Sequence, residues 1–284
     1  MADTTIATGL LQALYGEMTS LDRVLKTLAK DGVDVDHLQA RDVYERSLDS
    51  QNLGGYAMLV VAATAAAEHG VPQPEDLVLD VGCGMGGPGR FLADRFGCSV
   101  FGVDLLALRI EAAQALTERT GMGQRISYRV AQATELPADD ASFAQVWMLD
   151  VGIHVQDKVA LFDEIARVLR PGGLFVMHDQ MGPLPKAMEP ATRGAPFIAP
   201  SLTELIEFVE GAGLRVLRWQ DSSRHVVEYF RQIKAGIDRS EAGQDGRPRP
   251  WRERVAAMVG AYIETLANLG GRTGILIAQR QRPV

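Results

Sequence analysis

The chain is poor in the residues and runs that mark several large classes of protein. Only two cysteines occur in 284 residues, Cys83 and Cys98, and their spacing fits neither a disulfide framework nor a metal-ligand set. No apolar run approaches the roughly 20 residues that a helix needs to span a bilayer. Basic residues are not in excess, since 29 Lys and Arg stand against 36 Asp and Glu, a formal net charge of -7. These shortages argue against a disulfide-stabilised protein, a membrane protein and a nucleic-acid binder.

The N-terminal sequence and the overall composition fit a globular protein of the cytoplasm. The first residues, MADTTIATGL, lack a basic segment followed by a long apolar core, so we expect no secretory signal. A reducing compartment fits the two cysteines best. Hydrophobic residues make up 46% and charged residues 23% of the chain, which is ordinary for a globular domain. A chain of this length can bury a sizeable core, as one large domain or one domain with an appendage.

The stretch from Leu77 to Arg90, LVLDVGCGMGGPGR, joins an apolar run to a glycine-rich turn and then to an amphipathic segment. A buried strand that leads through such a turn into a helix is typical of nucleotide-like sites, because glycine allows positive φ and has no Cβ to exclude the ligand. Gly82, Gly84 and Gly87 also fit the G-x-G-x-x-G pattern of dinucleotide sites, which alone is weak evidence. The turn therefore leaves more than one nucleotide-like ligand open.

From Leu77 onward, short apolar segments alternate with amphipathic ones. Strands are predicted at Leu77–Val81, Ser99–Val103, Ile126–Val130, Ala144–Leu149, Leu174–His178, Leu214–Trp219 and Arg272–Ala278. Helical patterns are predicted between them, at about 88–96, 107–120, 158–169, 201–212, 222–236 and 251–268. This rhythm predicts an α/β fold with a doubly wound, Rossmann-like sheet of seven mostly parallel strands, covered by helices on both faces.

The segments outside this rhythm define the predicted domain organisation. The first 70 residues carry leucines at helical spacing and end in an Ala-rich helix, so we predict an N-terminal helical cap at 1–70. A ligand-binding domain is predicted at 71–284, with insertions at about 181–200 and 221–270. The first insertion is rich in Pro and Gly and is predicted to form a loop over the ligand. The second is predicted to be a helical lid.

Polar residues follow several predicted strands, and in an open α/β sheet ligands bind beyond the carboxyl ends of the strands. Asp80 ends the first strand. Asp104 ends the second, where a carboxylate can accept two hydrogen bonds from a ribose diol. Gln132 follows the third strand, and its amide can donate and accept at a purine edge. The fourth strand leads into Asp150, and His154 lies about one helical turn further along the chain.

Each candidate also has a purely structural interpretation. Asp104 could simply cap the helix that follows it. Gln132 could belong to a solvated loop, and His154 could be a structural histidine at a helix end. The pair His178-Asp179 suggests a metal, but no further ligands accompany it in the sequence, so we predict no metal site.

Taken in order, these segments resemble the motifs of the class I S-adenosylmethionine-dependent methyltransferases. VLDVGCGMGG looks like the first motif of that family, VFGVDLL like its second-strand acid and ELPADDASFAQVWMLDVGIHV like its fourth-strand segment. LFDEIARVLRPGGLFVMHD is similar to the helix and PGG turn before the fifth strand. The resemblance covers roughly residue 51 to the C-terminus and implies that the last strand inserts antiparallel. A dehydrogenase shares the glycines and the acid but neither the RPGG turn nor that returning strand.

Within this superfamily the chain is most similar to small-molecule methyltransferases of the glycine/sarcosine and phosphoethanolamine type, through SLDSQNLGG, LDVGIHV and WQDSSRHVVEYFRQI. The resemblance implies S-adenosyl-L-methionine as cofactor and S-adenosyl-L-homocysteine as product. It implies a cofactor site made of Gln51, Asp80, Gly82, Gly84, Asp104, Leu105, Gln132, Ala133 and Leu149. The family commonly has an acid where Gln132 stands, but an amide can still bond to the adenine amino group.

The methyl acceptor is expected to meet a second group of residues. His154 is the predicted base or acceptor-orienting group, and Asp150 is predicted to orient it or to touch the cofactor. Arginine and tyrosine together suit a carboxylate on a small metabolite. The predicted substrate contacts, in the N-terminal helices and the two insertions, are Tyr44, Tyr56, Arg193, Arg224, His225 and Tyr229.

The sequence therefore predicts a methyltransferase of a small metabolite, with an amine or carboxylate-bearing acceptor and N-methylation favoured. S- or O-methylation of a thioether, a thiol or a natural product is the alternative. An NAD-dependent oxidoreductase and a cofactor-binding relative without an acceptor site are remote alternatives. We expect no nucleic acid and no membrane among the partners, and the N-terminal helices and the late insertion could serve homodimer contacts.

Overall fold

The computed structural model describes residues 9, 11–12, 15–16, 19–50, 52–183, 197–239 and 249–282. Its strands are β1 (Leu77–Val81), β2 (Ser99–Asp104), β3 (Ile126–Val130), β4 (Phe143–Leu149), β5 (Leu169–Met181), β6 (Leu214–Asp221) and β7 (Arg272–Arg280). Its helices are α1 (Leu21–Lys30), α2 (Ala40–Tyr44), α3 (Gly55–Ala67), α4 (Gly87–Phe96), α5 (Ala107–Arg119), α6 (Lys158–Val168), α7 (Leu202–Gly211), α8 (Ser223–Arg239) and α9 (Arg249–Asn268). A 3₁₀ turn spans Gly152–His154.

The strands form one sheet in the order β3-β2-β1-β4-β5-β7-β6. β7 runs antiparallel to β5 and to β6, and the other pairings are parallel. The predicted seven-stranded, mostly parallel sheet with an antiparallel last strand is therefore confirmed. The strand order reverses between β1 and β4, so the carboxyl ends of these two strands leave a crevice between them.

Helices cover the sheet on both faces. This is possible because successive side chains of each strand point to opposite faces and form a core on each side. In β4 every residue is buried, with Trp147 in the core of one face and Val146 and Met148 in the core of the other. The first core also receives residues of α3, α4, α8 and α9, whereas α6 and α7 supply the second. A central strand that is apolar on both faces is typical of a doubly wound fold.

β5 begins five residues before its predicted start. Leu169 pairs with Phe143, and Leu174 then pairs with Gln145, so the RPGG segment between them forms an irregularity in the strand. Gly172 supplies the positive φ of 82° that this irregularity needs. The segment was predicted as a turn before the strand, and the structure extends the pairing on both sides of it.

The N-terminal helices pack against the sheet domain at two places. α1 begins after Ser20, whose hydroxyl accepts the Arg23 N–H, and it packs through Leu28 against Leu116 of α5. α3 shares its core with the sheet, since Met58 clusters with residues of β1, β4 and β5. A domain boundary at residue 70 would divide a core that α3 shares with the sheet. The N-terminal cap at 1–70 therefore remains a proposal. None of the described helices is both long and apolar enough to cross a bilayer.

Candidate functional site

A cavity of about 540 Å³ opens at the carboxyl ends of β1, β2 and β4, at the reversal of strand order. Its volume falls within the roughly 300–1,000 Å³ of small-molecule sites. The cavity is lined by Asp80, Gly82, Gly84, Asp104, Leu105, Gln132, Ala133, Leu149, Asp150 and His154, all of them predicted from the sequence. The predicted Gln51 lies outside the described residues, and its neighbours Ser50 and Asn52 line the cavity.

The glycine turn after β1 is held close to the neighbouring strand. The N–H groups of Gly82 and Cys83 both donate to the Val103 carbonyl, at 2.8 and 2.9 Å. Gly82 has φ of 70°, and a Cβ at this position would lie 2.3 Å from Cγ2 of Val151. Only glycine fits both the conformation and the space, so the turn presents bare backbone to the cavity.

Asp104 connects the glycine turn to the start of α5. Its carboxylate accepts the N–H groups of Gly84 and Leu106, each at 3.0 Å, and lies 3.4 Å from Arg109 Nη1. The capping interpretation explains the Leu106 contact but not the bond to the glycine turn. Asp104 is thus part of the cavity wall as well as of the helix start. Arg109 was not singled out from the sequence.

The wall below the glycine turn contains acceptor atoms without a donor. Asp80 is buried, and its Oδ2 has no hydrogen-bond partner in the described part of the chain. Burial raises the pKa of Asp80 to about 7, although the Gly89 N–H counteracts part of that rise. Asp49 Oδ1 and Asn52 Oδ1 are likewise buried without a partner among the described residues. Each such atom costs about 1–3 kcal/mol, so the wall suits a ligand that brings N–H groups or positive charge.

The segment 49–53 crosses the cavity wall and is anchored from two sides. On one side, the buried Arg90 places Nη2 2.7 Å from the Asp49 carboxylate and donates through Nη1 to Thr117 at 2.8 Å. On the other side, the Leu53 N–H donates to Asp150 at 2.6 Å. Asp150 adopts φ of 58°, a conformation that non-glycine residues rarely take. The described residues on either side of Gln51 are therefore held in place, Asp49 by Arg90 and Leu53 by Asp150.

His154 lies at the end of the 3₁₀ turn, where an N-terminal tyrosine reaches it. Tyr15 Oη lies 2.7 Å from His154 Nε2, and the Arg109 guanidinium lies 4.5 Å from the centre of the tyrosine ring. The Phe197 ring meets His154 edge-to-face at 4.5 Å. Burial raises the pKa of Tyr15 despite the nearby Arg109 charge, so the phenol stays protonated. Tyr15 was missed because only the leucines of its segment gave a periodic signal.

Two of the predicted substrate residues lie outside the cavity lining and pack in the core. The Tyr44 hydroxyl donates to Asp94 at 2.6 Å. Its ring lies 5.6 Å from that of Tyr56, and both meet Phe91 edge-to-face. These contacts fasten α2 and α3 to α4.

The other predicted substrate residues lie near the second insertion or outside the described residues. Tyr229 of α8 is half-buried, and burial together with the Asp150 charge raises its pKa, so its hydroxyl lies within the electrostatic reach of the cavity. Arg224 and His225 are exposed at the start of α8. Arg193 lies outside the described residues. Among the residues that the structure describes, no three His, Cys, Asp or Glu side chains come together to hold a metal ion.

Comparison with known proteins finds a family model that matches the central part of this chain. Residues 78–173 match the family model of a methyltransferase domain. A sarcosine/dimethylglycine N-methyltransferase of Halorhodospira halochloris is 28% identical over 184 residues, 61% of this chain and 63% of that protein. The chloroplastic tocopherol O-methyltransferase of Arabidopsis thaliana is 33% identical over 117 residues, 40% of this chain and 34% of that protein. The chain thus aligns with less than two thirds of each relative.

A solved structure shows the same fold over most of the chain. Phosphoethanolamine N-methyltransferase 2 of Haemonchus contortus, in complex with phosphomonomethylethanolamine and S-adenosylhomocysteine, superposes with a TM-score of 0.79 at 18% identity. The superposition covers 97% of this chain and 60% of that one. Residues 78–173 therefore match a methyltransferase domain, and the rest of the chain shares the fold of a solved methyltransferase.

Proposed function

We propose that the protein transfers a methyl group from S-adenosyl-L-methionine to a small metabolite, with an amine nitrogen as the favoured acceptor. One observation carries the proposal: the carboxyl ends of β1, β2 and β4 surround a cavity whose wall holds buried acceptor atoms that have no donor among the described residues. A ligand that joins a sulfonium and an ammonium group to a nucleoside matches these acceptors. The methyltransferase-domain match over 78–173 supports the same assignment.

The donor would lie along the strand ends in a fixed order. The Asp104 carboxylate would accept the ribose hydroxyls, flanked by Leu105, and the Gln132 amide would meet the adenine edge beside Ala133. The carbonyl of Leu149 would accept the ammonium group. The methionine end would lie against the bare backbone of Gly82 and Gly84 and the carboxylate of Asp80, beneath the segment that includes Gln51.

Methyl transfer is an in-line displacement at a carbon that the sulfonium already activates. The protein therefore has to align the acceptor, exclude water and take a proton where one must leave. His154 is the proposed base or orienting group, and the Tyr15 hydroxyl at 2.7 Å fixes the ring at Nε2. The negative charge of Asp150 would interact with the acceptor or with the cofactor. Carboxylates and phenol rings near this end favour a cationic amine.

Calorimetric titration with S-adenosylhomocysteine and with NAD tests the donor site. We expect binding of the first and none of the second, and the reverse result would identify an oxidoreductase. Turnover of the methyl donor against a panel of amines, amino acids, thioethers, thiols and phenols then tests the acceptor. Activity confined to the thioethers, thiols or phenols would replace N-methylation by S- or O-methylation. Binding without turnover on the whole panel would contradict an enzyme acting on these classes.

The variant His154→Ala tests the catalytic assignment. We expect S-adenosylhomocysteine to bind as in the wild type, because the predicted donor contacts lie on other residues. Turnover should fall by about 10²–10⁴-fold if the imidazole acts as a base. Wild-type turnover in this variant would refute the assignment. Tyr15→Phe serves as a matched control, since it removes one partner of His154 and keeps the imidazole.

We place the enzyme in the cytoplasm, because Cys83 and Cys98 are buried free thiols that a reducing compartment would preserve. The homodimer remains a prediction. Sedimentation velocity of the full chain would test it.

A further inference from the structure

A chain of buried polar side chains runs behind the cavity, and the proposed mechanism does not use it. His178 of β5 is fully buried, and its Nδ1 lies 3.2 Å from the Asp150 carboxylate. Its Nε2 lies 2.9 Å from the hydroxyl of Ser222, at the joint between β6 and α8. The Ser222 hydroxyl in turn lies 3.0 Å from the hydroxyl of Thr273 of β7. These side chains thus connect β5, β6 and β7 to the carboxylate of Asp150, which follows β4.

The order of Asp150, His178 and Ser222 is that of a nucleophilic triad, but burial excludes such a role. Ser222 and His178 are both 0% exposed, so no substrate can reach the hydroxyl. The hydroxyl is also committed to Thr273. Buried side chains whose imidazole and hydroxyl are held in this way fix a geometry rather than perform a reaction.

The geometry that it fixes is that of Asp150. This residue has φ of 58°, a strained conformation that persists only when the surroundings hold it. Two contacts do so: the backbone N–H of Asp150 donates to the His178 carbonyl at 2.7 Å, and the His178 ring meets its carboxylate. A carboxylate accepts only, so the ring supplies the donor at Nδ1. The same carboxylate accepts the Leu53 N–H at 2.6 Å.

We infer that His178 is a positioning residue, which holds Asp150 so that its carboxylate retains Leu53 and thereby keeps Asn52 at the cavity wall. Tyr229 of α8 lies against the same region, since a Cβ on Gly55 would come within 3.3 Å of its ring. The buried polar side chains and the Tyr229 contact therefore connect the second insertion and residues 52–55 to the same region around Asp150. This inference rests on the proposed function, because it assigns the segment to methyl-donor binding.

Two substitutions at one position separate the two sides of the ring. His178→Asn places an amide N–H near the position of Nδ1, and so keeps a donor for Asp150 while it loses Ser222. His178→Gln places its amide near Nε2, and so keeps Ser222 while it loses Asp150. Both variants remove the imidazole from the same buried site, so each is the control for the other. The readouts are the dissociation constant of S-adenosylhomocysteine by calorimetry and amide hydrogen exchange of a peptide covering 50–55.

We expect His178→Gln to weaken S-adenosylhomocysteine binding about tenfold and to speed exchange at 50–55 by about the same factor, as a lost hydrogen bond to a charged group predicts. His178→Asn should stay within about twofold of wild type in both readouts. Equal losses in the two variants would show a general packing role and overturn the inference. Unchanged binding and exchange in the Gln variant would overturn it as well.

Two further outcomes keep the inference falsifiable. If the wild type bound no S-adenosylhomocysteine, the proposed function would fail, but hydrogen exchange without ligand would still compare the two His178 variants. If His178→Gln did not fold, Ser222→Ala would remove only the hydroxyl that fixes Nε2. We then expect exchange at 50–55 to rise about threefold, and unchanged exchange would overturn the inference.

Discussion

Arg90→Met would remove the centre of the buried network that anchors the 49–53 segment. The Arg90 side chain is 0% exposed and contacts the Asp49 carboxylate at 2.7 and 3.2 Å, Thr117 at 2.8 Å, the Ala113 carbonyl at 3.2 Å and the Met85 carbonyl. Methionine fills a similar volume but leaves Asp49 as an uncompensated buried carboxylate. We expect the free energy of unfolding to fall by about 3–5 kcal/mol, the usual cost of breaking a buried pair.

A double-mutant cycle with Asp49→Leu isolates the pair from the other contacts. Replacing both charges by apolar side chains removes the unpaired carboxylate, so the double variant should lose no more stability than Arg90→Met alone. The assay is urea unfolding followed by circular dichroism, without ligand, since Asp49 lines the cavity. Additive losses in the double variant would refute the argument, because they would show that the two side chains do not depend on each other.

The cost of the single variant should depend on pH, with a predictable sign. Burial raises the pKa of Asp49, and the charge of Arg90 counteracts that rise. Without Arg90 the folded-state pKa rises further above the unfolded value. Between these two values the folded chain binds more protons than the unfolded chain, so stability falls as pH rises. Arg90→Met should therefore lose more stability at about pH 7 than at about pH 4, and an equal loss at both would count against the desolvated carboxylate.

Three further predictions follow from single contacts. Gly82→Ala should lower the free energy of unfolding by at least about 1–2 kcal/mol and impair S-adenosylhomocysteine binding in calorimetry, because it adds left-handed strain and a contact of 2.3 Å with Val151. Affinity for cationic S-adenosylmethionine should rise between pH 6 and 8, up to about tenfold per unit below a pKa of about 7, as Asp80 ionises. Tyr44→Phe should cost about 1–2 kcal/mol in urea unfolding through its lost bond to Asp94, with an unchanged KM for the acceptor.

The chain offers a control for each of these three. Gly121 shares φ of 70° but has open space around it, so Gly121→Ala should show the backbone strain without the clash. Equal costs at the two glycines would mean that the turn tolerates a Cβ. Asp80→Asn should flatten the pH dependence of affinity, and a dependence that survives would identify another titrating group. A raised KM in Tyr44→Phe, with stability unchanged, would return Tyr44 to the substrate site.

The strand-end side of the cavity could be predicted because it depends on local signals and on a general rule of topology. Asp80, Asp104 and Leu149 each lie at the carboxyl end of a short apolar strand, and parallel strands bring these ends to one edge of the sheet. Gln132 also reaches the cavity, in a tight turn closed by a bridge to Glu135. Nothing beyond strand boundaries was needed to bring these residues together.

The acceptor side depends on contacts between distant parts of the chain, which leave no periodic signal. Tyr15 and His154 are 139 residues apart and meet only after α1, α5 and the 3₁₀ turn have packed. His178 attracted notice as a metal candidate, whereas its partners come from β4 and from the joint between β6 and α8. The RPGG segment carries a strong turn pattern, yet the pairing of β5 with β4 on both sides overrides it.

The two-sided anchoring of the 49–53 segment has a consequence for how such an enzyme diversifies. On one side of the cavity Arg90 holds Asp49 and Asp150 holds Leu53. Tyr15 lines the cavity and Phe197 packs against His154, and both lie outside the 78–173 stretch that matches the methyltransferase domain. Under the proposed function, substitutions in these outer segments can change the acceptor while the residues proposed to hold the donor stay the same. Under this proposal, specificity for new acceptors can evolve at one end of the cavity while cofactor binding at the other end is retained.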